Sequence, residues 1–171
     1  MRGPLWIARW VLIAAVALVV ASAGFTAVAA WTWWSSGHDP RALARDEALR
    51  AGEQAVTTFN SLDFRRADEG FDRWLAVSTG TLHDDLVQQR RDGVPRLAGA
   101  ATVTEARVLD AAVTELDEQA GTATVIASVE ITITRDGAPP VPKHDRIEAR
   151  LNRADGGWKL GEIGQVAVSV P

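Results

Sequence analysis

The chain has 171 residues, 22 acidic against 18 basic side chains, a formal net charge of −4 and no cysteine. An acidic surface with no basic stripe excludes nucleic acid as a partner. The lack of thiols excludes disulfides and Cys-type zinc or redox sites.

Between Arg9 and His38 no side chain is charged, and the twenty residues from Val11 to Ala30 are interrupted only by Ser22, Gly24 and Thr26. At about 1.5 Å per residue they cover roughly the 30 Å hydrocarbon thickness of a bilayer, which predicts a transmembrane helix over 11–31. Trp6 and Trp10 before the run and Trp31, Trp33 and Trp34 after it mark both interfaces. Arg2, Arg9 and the terminal amine hold the short segment 1–10 in the cytoplasm, so the remainder is extracytoplasmic. The rival reading is a signal peptide cleaved after Ala27-Val28-Ala29, but its apolar stretch would exceed the usual ~7 to 15 residues.

The exported part carries all 22 acids and 16 of the 18 bases, and its length suits one compact domain. We expect a juxtamembrane stalk and helix start over 32–47 and the domain proper over 48–171. Asp39 as N-cap and Pro40 at the first turn open a helix whose stripe is Ala48, Gly52, Ala55, Val56, Phe59 and Leu62. A second short helix spans about 65–77 around Phe71, Trp74 and Leu75, preceded by Phe64. A third runs from Thr81 to Asp92, with Asp84 and Asp85 in its first turn and Arg90-Arg91 in its last, stopped by Gly93 and Pro95.

Past Gly99 the period becomes two. A strand with a slip in its alternation spans Thr102 to Val113. The next has Ala123, Val125, Ala127, Val129, Ile131 and Ile133 on one face. A third, from Lys143 to Arg153, points Ile147, Ala149 and Leu151 inward, and Ala154-Asp155-Gly156-Gly157 turns into a last strand opening at Trp158. The expected fold is α+β, with helices packed on a curved four-stranded antiparallel sheet.

Chemistry is sparse. His38, His83 and His144 share no metal-ligand spacing, and each is read as a solvated surface group. Asp63, Asp68 and Asp72 flank the second helix as general-base candidates, more simply read as the wet complement of Phe71 and Trp74. With no tyrosine, the phenolic donor of a steroid-isomerase-type oxyanion hole is missing, and no nucleophile elbow, P-loop, dinucleotide fingerprint or zincin motif occurs. We therefore expect no catalytic, cofactor-binding or metal-binding residue and no enzyme. Trp74 and Trp158 either pack the core between helix and sheet or line an apolar pocket there for a lipid or peptide.

Three segments carry a family resemblance: Ala55-Val56-Thr57-Thr58-Phe59-Asn60-Ser61-Leu62-Asp63-Phe64, Trp74-Leu75-Ala76-Val77-Ser78-Thr79-Gly80 and Gly156-Gly157-Trp158-Lys159-Leu160. With the anchor before them, the chain resembles the Mce-associated membrane proteins of actinobacteria. The resemblance implies a nuclear-transport-factor-2-like cone and a single-pass, non-enzymatic accessory subunit that stabilises an Mce-type lipid-import system. Its implied partners are the bilayer and the transporter subunits or related accessory proteins. The chain also looks like the outer part of single-pass assembly factors of type IV secretion. A lipid- or steroid-binding or -converting domain is the other alternative.

Overall fold

The computed structural model describes residues 40–135, 137–154 and 156–166. The predicted span over 11–31, its flanking tryptophans, His38 and the Asp39 cap lie outside them. Among the described residues no helix is long and apolar enough to cross a membrane. The chain divides into two units, Met1–Leu43 and Ala44–Pro171; the architecture below is that of the second.

The first helix, α1 (Pro40–Asn60), buries Ala44, Ala48, Gly52, Ala55 and Val56, residues three or four apart on one face. Burial begins at Ala44, one turn before the predicted stripe. The helix ends at Asn60, whose side-chain amide donates to the Val56 carbonyl at 2.8 Å, so Leu62 is not part of it.

Instead, Leu62–Asp63 forms a two-residue strand, β1, antiparallel to β2 (Thr102–Asp117) through Leu62↔Thr104 and Asp63↔Val103. The sheet therefore has five strands in the order β1-β2-β3-β4-β5, with β3 at Thr122–Arg135, β4 at Val141–Ala154 and β5 at Gly157–Gln165. This corrects the four-stranded expectation. Two residues are too few to show a period, and Leu62 fits helical spacing equally well, so only the pairing defines the strand.

Along β3, Ala123, Val125, Ala127, Val129 and Ile131 are buried and share the sheet's covered face with Ile147, Ala149 and Leu151 of β4 and Leu160 of β5. The slip read in β2 is two register shifts, at Val108/Asp110 and Val113/Glu115. The β4–β5 turn adopts the positive φ it was expected to need, at +93° for Gly156 and +138° for Gly157.

A 3-10 turn at Phe64–Arg66 leads into α2 (Ala67–Val77), which packs on α3 (Gly80–Gly99). The third helix passes through Gly93 and Pro95, against the stop expected there. A Cβ at Gly93 would lie 2.6 Å from Phe71 Cζ, so this glycine makes room for a ring rather than ending a helix. The missing Pro95 N–H removes one helical bond, and α3 runs one further turn regardless.

At Gly52 a Cβ would meet Val125 Cγ2 at 2.8 Å and its Cβ at 3.0 Å. Gly52→Ala gains up to about 1 kcal/mol of helix propensity but overpacks a closed contact, which typically costs about 1–3 kcal/mol. We expect a lower denaturation midpoint of the full-length protein in detergent, and a midpoint at or above the parent's would contradict this packing.

Candidate functional site

The titratable residues singled out from the sequence do not converge. Asp63 caps the 3-10 turn, accepting from Arg65 N at 3.0 Å, and faces the Arg65 and Arg66 guanidinium groups at 3.7 and 3.9 Å. Asp68 and Asp72, one turn apart on α2, both receive Arg90 of α3, at 2.8 and 2.6 Å. That ionic clip holds the two helices together at an exposed surface. His144 Nε2 lies 3.4 Å from Glu130 on the exposed β3–β4 face, and Asp145 pairs with Lys143 at 2.7 Å. Among the described residues no group of three or more His, Asp or Glu side chains is arranged to hold a metal ion.

One pair looks chemical at first. Ser78 Oγ is 3.3 Å from His83 Nδ1, the spacing of a nucleophile and its base. Yet His83 Nδ1 also lies 3.2 Å from the Leu75 carbonyl, which can only accept. In the tautomer that makes this contact a hydrogen bond, Nδ1 is protonated and cannot take the Ser78 proton. Ser78 is moreover 2% exposed and itself donates to Leu75 O at 3.3 Å. The trio closes the end of α2, where a carbonyl lacks its helical partner. Ser78 lies in a segment the sequence singled out, but nothing there paired it with His83, because the two side chains meet across a helix boundary.

The two tryptophans differ. Trp74 stacks on Phe59 with centroids 5.7 Å apart, tilts against Phe71 at 5.1 Å, and donates its indole N–H to Thr58 O at 3.0 Å. It is a packing residue with its polar atom satisfied. Trp158 is 8% exposed, with Arg153 over its ring at 5.0 Å, and its Nε1 has no hydrogen-bond partner among the described residues. Beside it is a recess of about 150 Å³ lined by α1, the end of α2 and the β4–β5 hairpin. A larger, open groove of about 630 Å³ separates α1 from β2, with Arg50, Glu53, Arg107 and Asp110 of mixed charge on its walls.

The family described as uncharacterized protein Rv1363c/MT1408-like has a sequence profile that matches residues 10–167. The chain belongs to that family. A relative from it, Rv1363c of Mycobacterium tuberculosis (strain ATCC 25618 / H37Rv), is 30% identical over 152 residues, which is 88% of this chain and 58% of the relative. The chain thus spans little more than half of that relative's length.

Among solved structures, this member of the Rv1363c/MT1408-like family is similar to the periplasmic domain of DotI, with a TM-score of 0.57 and 9% identity over 70% of this chain and 93% of that one. An IcmL-like type IV secretion system protein of Legionella pneumophila gives 0.56 and 11% identity over 78% of this chain and 96% of that one. CagV, a VirB8 homologue of Helicobacter pylori strain 26695, gives 0.53 and 11% over 70% and 96%. At such identities the likeness is one of fold.

Arg90 donates to Asp72 and its charge lies alongside, which holds the carboxyl below the ordinary aspartate range. A depressed folded-state pKa gives stability above the unfolded value, about 3.9, that is lost as pH falls through the folded one. Arg90→Gln is expected to raise the Asp72 titration midpoint, followed by carboxyl carbon NMR, toward the ordinary aspartate range and to leave stability between pH 5 and 8 equally flat. An unmoved midpoint would show that the clip does not form in solution.

Proposed function

We propose that this protein is a non-enzymatic, membrane-anchored accessory subunit whose extracytoplasmic domain binds and stabilises a multiprotein envelope complex. The observation that carries this reading is the use to which the candidate side chains are put. Asp63, Asp68, Asp72, Ser78 and His83 all serve as caps or clips. The inner sheet face meets α1 through fully buried Val56, Val125, Val129, Leu151 and Leu160. The fold is that of periplasmic domains such as that of DotI and of secretion-system proteins, and the apolar run from Val11 to Ala30 supplies the anchor.

We propose an Mce-type lipid importer as the complex, on the three sequence segments that resemble the Mce-associated proteins. The likeness to the Legionella and Helicobacter proteins favours a second reading, an assembly factor of a secretion-type complex. Neither needs a lipid site within the domain. The recess by Trp158, about 150 Å³, is smaller than the roughly 300–1,000 Å³ that drug-sized ligands occupy, and the groove of about 630 Å³ between α1 and β2 is open and walled by mixed charge.

Mass action supplies the mechanism: a subunit that binds only the assembled form adds stability to it and raises its steady-state amount. Deleting the gene should lower the levels of importer subunits together with lipid uptake, and unchanged values of both would refute the importer reading. Affinity capture from gently solubilised membranes, with the captured proteins identified by mass spectrometry, separates the two readings: importer subunits support the first, secretion-type subunits the second.

A further inference from the structure

Strand β2 has a stretch of open edge. β1 pairs with it only at Thr104 and Val103, and two intramolecular bonds stand further along: the Ser61 hydroxyl accepts from the Ala106 N–H at 3.0 Å, and Arg45 donates to the Val113 carbonyl at 2.6 Å. Those bonds also fix which way the backbone points. The groups of Ala106 and Val113 turn away from β3. Direction alternates along an antiparallel strand, so Val108 and Ala111 turn away as well, and the register shift between Val108 and Asp110 takes up the odd residue. Neither Val108 nor Ala111 has a backbone partner on that side among the described residues.

This window opens on the groove of about 630 Å³ whose other wall is α1. Arg45 meets Val113 and Ser61, just past the helix, meets Ala106, so α1 runs antiparallel to the edge. Leu109, in the middle of the window, is 44% exposed, an apolar residue where edge strands usually carry charge. Donors and acceptors repeating at strand spacing are matched by another main chain, which selects an extended polypeptide over a lipid or a nucleotide. Charge narrows the segment further. Arg107 is engaged by Glu130 at 3.1 Å, which leaves Arg50 against two acids, Glu53 and Asp110, neither with an ion pair or hydrogen bond among the described residues. A Lys or Arg on the segment offsets that surplus negative charge.

We propose that the β2 edge from Val108 to Ala111 receives a short extended segment of a protein partner, bonded through its main chain to Val108 and Ala111 and carrying a basic residue toward Glu53. Four residues at about 3.3 Å each fit between the Ser61 and Arg45 bonds without breaking either, whereas a longer strand would displace them. The partner is the complex that the accessory-subunit reading requires, and the inference rests on that reading for the partner alone.

The test follows backbone amide exchange by nitrogen-15 NMR in the full chain in detergent micelles, with the peptide acetyl-Thr-Val-Lys-Val-Thr amide as probe. In the free chain we expect fast exchange at Val108 and Ala111 and protection at Arg107 and Ala112, which face β3. The peptide should slow exchange at Val108 and Ala111 saturably, and its Lys-to-Glu version should bind about two- to fivefold more weakly. Ala111→Pro, which suits an edge strand because the lost N–H faces outward, should weaken binding about three- to tenfold. Thr57→Trp, which fills the groove from the half-buried opposite wall, should abolish it with the ladder amides unchanged. Equal binding of the two peptides would remove Glu53 from the site. Exchange at Val108 and Ala111 that the peptide leaves unaltered overturns the proposal. So does protection already present in the free chain that grows with protein concentration, which would assign the edge to a second copy of this chain. No other subunit enters the measurement, so its failure leaves the accessory reading standing, and a gene deletion without effect leaves the edge site standing.

Discussion

The close approach of α1 to the sheet is the constraint on which the rest of the domain depends. Ala48, Gly52 and Ala55 present almost no side-chain height, and opposite them Val125, Ala127 and Ala149 are all fully buried. Helix and sheet separation follows the size of the residues between them. Everything else hangs from these two layers. Trp74 attaches α2 to α1 through Thr58 O, and Thr79 N attaches the α2–α3 link to β5 through Leu160 O at 2.9 Å. A larger residue at the helix–sheet contact would displace α1 and, through it, the helices that it positions.

Elements with a long period were legible from the residues alone. The alternation from Ala123 to Ile131 reads directly as β3, because a half-buried strand must alternate and nine residues show it plainly. The irregularity of β2 was visible too, since a bulge breaks alternation wherever it occurs. What escaped was decided by tertiary contact. Leu62–Asp63 is a strand only because Thr104 and Val103 lie beside it, 40 or more residues away in the chain. Gly93 carries the same local meaning as a helix stop, and only the Phe71 ring across the interface distinguishes the two uses.

The site was legible mostly by exclusion. That Asp68 and Asp72 share a helix face follows from their spacing, but their shared partner Arg90 sits 22 and 18 residues on, respectively, and nothing local announces it. Arg45 bonding Val113 O at 2.6 Å spans 68 residues and is equally silent in the sequence. For Trp158, the Gly-Gly-Trp turn marks the position but not the state of its nitrogen. An unpaired donor is a property of everything around it, so it emerges only when the surroundings are known. Trp74, a residue of the same type with an equal claim to a pocket, finds its acceptor and becomes packing.

How such a domain meets a partner follows from the sheet edges. Beyond Glu105 the outer edge of β2 faces no strand among the described residues, which would ordinarily invite strand addition. Two register shifts twist that edge, Arg45 occupies the Val113 carbonyl, and the Ser61 hydroxyl accepts from the Ala106 N–H at 3.0 Å. The opposite edge is met by the α2–α3 link, where Ser78 bridges Leu160 in parallel. At Ala106, Val113 and Leu160, adding a strand would first break existing bonds, each worth about 0.5–1.5 kcal/mol net.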